Sequence, residues 1–321
     1  MVGSGPASIT CAADCARAGL DVTGFEAFHR PGGVLVYGIP EFRLPKRIVA
    51  EEIAGLEALG VKVVTDFVVG RTRRVRELLD EDGFDAVFVG TGAGLPKFMG
   101  IEGENLVGVF SANEYLTRAN LMRAWDEDRA DTPYWHGRRV AVLGGGNVAM
   151  DAARMALRLG AEKVWIVYRR SEVEMPARRE EVRHAREEGV ELRLLQNARR
   201  VLGGADGRVA GLECVRCELG EPDAGGRRTP AEVPGSEFTL DADTVVVAVG
   251  NGPNPLVAST TEGLETDAHG RLVVDPETRM TSVPGVFAGG DAVLGAATVI
   301  LAMGEGRAAA RGIIGMLEGG K

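Results

Sequence analysis

The feature that most constrains this chain is a pattern that occurs twice, about 140 residues apart. Gly3-Ser4-Gly5-Pro6-Ala7-Ser8 opens a helical stretch that Gly19 closes, and a short strand, Asp21–Glu26, follows. Gly144-Gly145-Gly146-Asn147-Val148-Ala149 lies between an apolar strand, Arg139–Leu143, and a helix, Met150–Leu159, that Gly160 closes; Val164–Tyr168 is the next strand. A helix between two strands is a βαβ unit and calls for a parallel sheet. In each turn the first glycine permits the tight bend, and the next lets the main chain approach a pyrophosphate. The helix start then supplies unpaired N–H groups and a partial positive charge. The last position needs a small residue for close helix–strand packing, and Ser8 and Ala149 serve. Two such units make a duplicated architecture, not a solenoid.

The two strand ends carry opposite charge. Glu26 stands 23 residues after Gly3, the distance at which an acid accepts hydrogen bonds from a ribose hydroxyl. In the second unit the equivalent place, 25 residues after Gly144, holds Arg169 and Arg170. An acid repels a 2′-phosphate, whereas a guanidinium binds one with two hydrogen bonds. At roughly 1.5–3 kcal/mol per charged hydrogen bond, two arginines favour the phosphorylated cofactor by about one to three orders of magnitude. The plain alternative is an exposed basic strand end. Taken together the turns suggest two dinucleotides, FAD at the first and NADP(H) at the second. A flavin takes hydride from NADPH and passes single electrons onward without a nucleophilic side chain or a metal.

The remaining patterns fit that frame. A length of 321 residues suits two domains. The net charge of -9 offers no basic field for nucleic acid, and no run of 18 apolar residues suggests a membrane span. No signal peptide is visible, so a cytoplasmic setting is expected. Only Met1 and Val2 precede the first turn, so the chain reads as starting inside its first strand, with a segment expected upstream. A helix is expected over 45–59 with Ile48, Ile53, Leu56 and Leu59 on its apolar side. Strands are expected at 61–64, 67–69 and 84–89, with a polar connection at 118–137. A charged helix over 178–188, a strand at 190–195, a strand-rich stretch from 208 to 247 and a helix from about 296 to 317 complete the pattern, and AGGRRTPAEVPG (224–235) reads as loop. Cys214 and Cys217 form a C-x-x-C in an alternating run, where residues three apart point to opposite faces, so a redox disulfide is disfavoured. Cys11 and Cys15 share one helix face and read as packing.

GGVLVYGIPEFRLPK (32–46), FMGIEGENLVGVFSANEYLTR (98–118), VYRRSEVEMPARREEV (167–182) and PGVFAGGDAV (284–293) together resemble the small (β) subunit of NADPH-dependent glutamate synthase. They are similar also to the flavoprotein subunit of NADH-dependent ferredoxin:NADP oxidoreductase. The resemblance spans essentially the whole chain. It implies an α/β, thioredoxin-reductase-like fold with two Rossmann-like domains: a split FAD domain (1–124 and 267–321) and an inserted NADPH domain (125–266). It implies that Gly3, Ser4, Gly5, Pro6, Ala7 and Ser8 hold the FAD pyrophosphate and Glu26 its ribose. Gly33, Leu35, Gly38 and Arg43 would line the flavin approach, Val69 would sit near adenine, and Thr91 and Gly92 would form a flavin-side turn. Asp291 would bond the ribityl chain, and Ala297, Thr298 and Val299 would face the flavin ring. For NADP(H) the implied residues are Gly146, Asn147, Val148, Ala149, Arg169, Arg170, Gly250 and Asn251. Family members carry iron–sulfur clusters on an N-terminal cysteine-rich domain that this sequence does not contain. The clusters and a larger partner subunit are therefore expected outside it. A stand-alone disulfide reductase and a non-catalytic flavoprotein scaffold are the competing possibilities.

Overall fold

A computed structural model describes residues 1–126, 128–133, 135, 137–223 and 225–319. Positions 127, 134 and 136 of the polar connection, and position 224 of the expected loop, lie outside the described residues. The chain separates into two compact units, Met1–Leu95 with Asn251–Lys321, and Pro96–Gly250. The joins fall at 95/96 and 250/251, against the sequence boundaries 124/125 and 266/267. Strand pairing explains the first shift: Val109–Ser111 runs parallel beside Thr244–Val247, inside the second unit's sheet.

In the first unit a parallel arrangement runs in the order Lys62–Val64, Thr23–Phe25, Val2, Val87–Val89, Val286–Ala288. Val2 occupies the middle position through bridges to Phe25 and Val89. Its amide donates to Phe88 O (2.8 Å), and the Phe25 amide donates to Met1 O (2.8 Å). The helix Pro6–Arg17 covers one face and packs on the C-terminal helix Val299–Gly319. Their approach is close because Gly306 has no side chain: a Cβ there would stand 2.1 Å from Ala7 O. Phe88 and Phe287 anchor this core together with Cys11 and Cys15.

The second unit has a five-stranded parallel sheet ordered Val109–Ser111, Thr244–Val247, Arg139–Leu143, Lys163–Tyr168, Glu191–Leu194. Val164 to Val167 are all buried, the near-continuous apolar run of a strand covered on both faces. An antiparallel sheet lies in the same unit, built on the long strand Val209–Pro222 with Gln196–Gly203, Arg228–Glu232 and Phe238–Leu240.

Three local expectations change. The helix Lys46–Ala58 buries Val49, Ile53 and Leu56, while Ile48 and Leu59 are exposed. Positions 49, 53 and 56 follow the 3.6-residue period as closely as the expected set, so tertiary packing, chiefly against the helices Pro6–Arg17 and Val34–Tyr37, selects the face. Residues 67–69 form no strand; Phe67 stacks on Phe25 with ring centroids 4.4 Å apart and Val69 makes one bridge to Arg73. Within the expected loop, Arg228–Glu232 is a strand paired antiparallel to Val209–Pro222. It is an edge strand, where Pro230 is tolerated because no neighbour needs its missing N–H. Among the described residues no helix is long and apolar enough to cross a membrane.

Candidate functional site

Every expected residue of the first unit's glycine turn lies at the carboxyl edge of its parallel strands, where open α/β sheets place ligands. Gly3 follows Val2, Glu26 follows Phe25, Thr91 and Gly92 follow Val89 after one residue, and Asp291 follows Ala288 after two glycines. Gly3 adopts φ +89°, and a Cβ on it would lie 2.7 Å from Gly90 O. A Cβ on Gly33 would meet Gly5 Cα at 2.7 Å, so the 32–38 loop rests directly on the turn. On Gly5, by contrast, a Cβ would meet nothing within 4 Å. The turn is closed beneath and open above.

The helix Pro6–Arg17 has no side-chain cap and no acid in its first turn. Its ladder starts with the Ile9 amide donating to Gly5 O (3.0 Å), leaving the Ala7 and Ser8 amides ahead of it. Ala7 and Ser8 act chiefly as packing residues. A Cβ on Gly290 would stand 2.8 Å from Ala7 Cβ, and one on Gly90 would stand 2.2 Å from Ser8 Oγ.

Glu26 is 5% exposed. Its Oε2 accepts from the Ser4 amide (3.0 Å) and from the Ser4 hydroxyl, and its Oε1 accepts from the Phe28 amide (2.9 Å). The Ser4 hydroxyl also accepts from the Gly32 amide (2.8 Å), tying turn, acid and 32–38 loop into one node. A carboxylate offers about four lone-pair sites, so Oε1 keeps one for a further donor such as a ribose hydroxyl.

Leu35 lies in the short helix Val34–Tyr37, Gly38 caps it and Arg43 follows, all within a loop segment organised by Lys46. Its ammonium donates to Leu35 O (2.9 Å), Leu44 O (2.9 Å) and Ile39 O. Tyr37, in the same loop, packs edge-on to Phe28 at 5.5 Å. Burial first, then the Asp291 and Glu26 charges, push its hydroxyl up to about 12. Val69 is 4% exposed and its neighbour Gly70 closes a turn by donating to Arg73 O (2.6 Å). Asp291 opens the short helix Asp291–Leu294; its Oδ1 is buried with no partner among the described residues. Burial pushes its carboxyl up, and the Ala297 amide facing it partly offsets this. Ala297 and Thr298 are exposed ahead of Val299, which starts the C-terminal helix.

In the second unit the helix Asn147–Arg158 likewise has no side-chain cap and no acid in its first turn. Above Gly146 a Cβ would meet only Pro176 Cγ, at 3.9 Å. Asn147 is turned inward: its Oδ1 accepts from the Arg178 amide (2.9 Å). Val148 is exposed and Ala149 fully buried. At the strand end the two arginines part company. Arg169 is exposed and makes no ion pair among the described residues. Arg170 is buried; its Nε donates to Arg228 O (2.7 Å) and its Nη2 pairs with Asp223 (3.3 Å). Gly250 ends the unit at φ +109° with open space around it, its oxygen accepting from the Lys97 amide (3.0 Å). Asn251 falls in the first unit, at the head of a two-residue strand.

The cysteines occupy packing positions. All four are free and buried. Cys214 lies in the core of the second unit, where burial pushes its thiol up to about 12, and burial raises Cys217 as well. A thiolate is the nucleophile in disulfide exchange, so this pair is poorly suited to it. Among the described residues no group of histidine, cysteine and acidic side chains could hold a metal.

Sequence reasoning missed four contributors. Lys46 stood inside a quoted motif, but its three carbonyl partners are visible only once the loop closes. Tyr37 gave no signal beyond its place in the same motif. Asp223 and Arg228 are 53 and 58 residues from Arg170.

The residues present fit the two groups the fold implies. The first turn is open above Gly5, with uncapped amides, an acid retaining an acceptor site and an orphaned buried carboxylate oxygen at Asp291. The second turn is open above Gly146, with a free cation at the strand end. Two Rossmann-like units, the second inserted into the first, define the thioredoxin-reductase-like class of two-dinucleotide folds. The chain belongs to the pyridine nucleotide-disulphide oxidoreductase family, whose model matches residues 1–306.

Its relatives include the NADP(+)-dependent formate dehydrogenase subunit beta of Moorella thermoacetica, 45% identical over 97% of this chain and 42% of that protein. The glutamate synthase [NADPH] small chain of Halomonas elongata is 41% identical over 99% of this chain and 67% of the relative. Among solved structures, Mycobacterium tuberculosis FprA in complex with NADPH superimposes with a TM-score of 0.80 at 21% identity, over 99% of this chain and 84% of that one. Lactococcus lactis thioredoxin reductase gives 0.71 at 20% identity, over 99% and 98%. The chain thus spans between two-fifths and two-thirds of the length of these two curated relatives.

Proposed function

We propose that this chain is the flavin and nicotinamide module of an NADPH-dependent oxidoreductase of the glutamate synthase small-subunit type. The first unit takes FAD and the second takes NADP(H). The observation that carries this is the contrast between two otherwise equivalent open glycine turns. One faces a buried acid, Glu26, and the other a free cation, Arg169. The names of the two curated relatives, one NADP(+)-dependent and one marked [NADPH], support the same choice of nicotinamide cofactor.

When bound, the two cofactors supply hydride exchange between nicotinamide and flavin, and release of electrons one at a time. The protein's part is to bind, orient and shield. Glu26 and Ser4 hold the turn in its open form, and Lys46 holds the 35–44 loop over the flavin approach. Uncapped helix amides bind the pyrophosphates. Asp291 offers an acceptor for a sugar-alcohol hydroxyl. No side chain need act as a nucleophile. Electrons leave to, or arrive from, iron–sulfur clusters on another part of the protein or on a larger partner subunit; the names "subunit beta" and "small chain" of the relatives support a partner subunit. The four free thiols fit a reducing, cytoplasmic compartment.

The test is an anaerobic titration of the FAD-loaded chain with NADPH and with NADH, following flavin absorbance. NADPH is expected to bleach the flavin at much lower concentration than NADH. Equal bleaching by both refutes the cofactor assignment. No bleaching by either refutes the enzyme assignment and leaves a scaffold.

A further inference from the structure

The sequence pattern treats Arg169 and Arg170 as a pair, and the structure separates them. Arg170 has its guanidinium 9% exposed and spent on the protein itself, through Arg228 O (2.7 Å) and Asp223 (3.3 Å). Those two contacts sit beside the Pro222–Arg228 pair, where the strands Val209–Pro222 and Arg228–Glu232 pair as a hairpin. Within it Asp223 Oδ1 accepts from the Gly225 (2.9 Å) and Arg227 (3.1 Å) amides, and the Asp223 amide donates to Arg227 O (2.7 Å). The hairpin leads into the edge strand Arg228–Glu232. Its first residue reaches back to the strand end: Arg228 Nε donates to Glu174 (2.6 Å) and Nη2 to the Ser171 hydroxyl (3.4 Å). Ser171 and Glu174 form a capping box that shapes the turn after Arg170. That turn folds onto the glycine loop, where the Ala177 amide donates to Gly145 O (3.1 Å). The Arg228 side chain nevertheless remains 46% exposed.

We infer that Arg228, brought to the strand end by an Arg170–Asp223 latch, acts with Arg169 to select the 2′-phosphate, and that Arg170 is a positioning residue. This rests on the second unit taking NADP(H). The charge arithmetic supports it. Glu174 and Asp223 are both acids near a site that must accept an anion, yet each is neutralised locally. Hydrogen bonds from Arg228 and Ser171 hold the Glu174 carboxyl down to about 2, and hairpin amides hold Asp223 down. Arg169 carries no such partner among the described residues, and the exposed side of Arg228 adds a second cation. A guanidinium keeps several N–H donors after one or two are used. Arg170, enclosed on both sides, keeps little surface for a ligand.

The decisive variant is Asp223→Asn, because the two roles for Arg170 predict opposite signs. Asparagine retains the side-chain oxygen that caps the hairpin but loses the ion pair with Arg170. If Arg170 is a latch, Asp223→Asn weakens binding of 2′,5′-ADP several-fold even though it removes a negative charge. If Arg170 is itself the phosphate ligand, removing its competing acid strengthens that binding. Calorimetry on the FAD-loaded chain with 2′,5′-ADP and 5′-ADP reads both effects. Arg228→Gln and Arg169→Gln are each expected to lower the preference for 2′,5′-ADP over 5′-ADP by at least about tenfold, the loss of one charged hydrogen bond. Binding of 5′-ADP should stay unchanged, which also reports an intact fold. An Arg228→Gln protein with wild-type preference overturns the inference, as does tighter binding by Asp223→Asn. A wild-type chain with no preference for 2′,5′-ADP overturns the NADP(H) assignment instead, so the two failures are distinguishable.

Discussion

The main-chain amide and the hydroxyl of Ser4 donate to the same carboxylate oxygen of Glu26, which is buried at the end of its strand. One acid therefore does two things. It pins the glycine turn open through Oε2, and it keeps an acceptor site on Oε1 beside the Phe28 amide. Glu26→Leu leaves the Ser4 and Phe28 donors without partners, a cost of roughly 1–3 kcal/mol for each buried group. Fluorescence of released FAD is expected to show at least a tenfold loss of affinity, while 2′,5′-ADP binding is unchanged. Loss of both together would mean that Glu26 serves general folding.

Lys46 spends its ammonium on three main-chain oxygens of one loop, at Leu35, Ile39 and Leu44. Lys46→Met keeps the aliphatic stem but leaves those carbonyls to water. The loop is expected to loosen, with FAD dissociating about tenfold faster and thermal stability of the flavin-free chain falling by about 1 kcal/mol. Stopped-flow FAD release reads the first effect and calorimetry the second. An unchanged release rate would show that the loop order comes from elsewhere.

Asp291 points toward a trade between stability and binding. Burial raises its carboxyl, so ionisation is less favourable in the folded chain than in the unfolded one. The sign follows from linkage: this group costs least below its ordinary range near 3.8 and costs more as pH rises through its raised folded value. At neutral pH, Asp291→Asn is expected to raise the melting temperature of the flavin-free chain by about 2 °C and to weaken FAD binding. A lower melting temperature would contradict this account.

In the second unit Arg154 is buried against Glu181 (2.9 Å) and Glu188 (2.8 Å), and Arg158 shares Glu188. Removing one partner of a buried pair leaves uncompensated charge. Arg154→Met is thus expected to cost about 3 kcal/mol in urea unfolding. Hydrogen bonds from Arg158 and Arg154 hold the Glu188 carboxyl down to about 2. Its contribution is complete above about 4.5 and is lost as pH falls toward 2. The Arg154→Met variant should therefore show a flatter acid-unfolding profile than the wild type.

Cys214 and Cys217 should be dispensable. Both are buried, and the Cys214 thiol is pushed up to about 12. A Cys214→Ala/Cys217→Ala double variant is expected to reach the same extent of flavin bleaching by NADPH as the wild type, with some loss of stability. Abolished turnover in a folded double variant would favour a disulfide reductase.

The sequence by itself determined the fold class, because its signals are short-range. Gly3, Gly5, Gly144 and Gly146 stand at fixed distances from the strand ends they serve, and apolar runs such as Val164–Tyr168 announce buried parallel strands. It also determined the contrast between Glu26, one residue beyond its strand, and Arg169 and Arg170, one and two residues beyond theirs. Tertiary structure decided what depends on partners far along the chain. A helix period alone cannot choose between Ile48 and Val49 as the buried residue; packing against the helices Pro6–Arg17 and Val34–Tyr37 makes that choice. Pattern alone cannot say which of two adjacent arginines is free. Side chains alternate along an extended strand end, so Arg170 turns inward to Asp223 and Arg228 while Arg169 stays in solvent. Asp223 comes from just beyond the strand Val209–Pro222, and Arg228 from its partner strand, which local composition disguised as loop. Its order arises from pairing with Val209–Pro222, which no local pattern encodes.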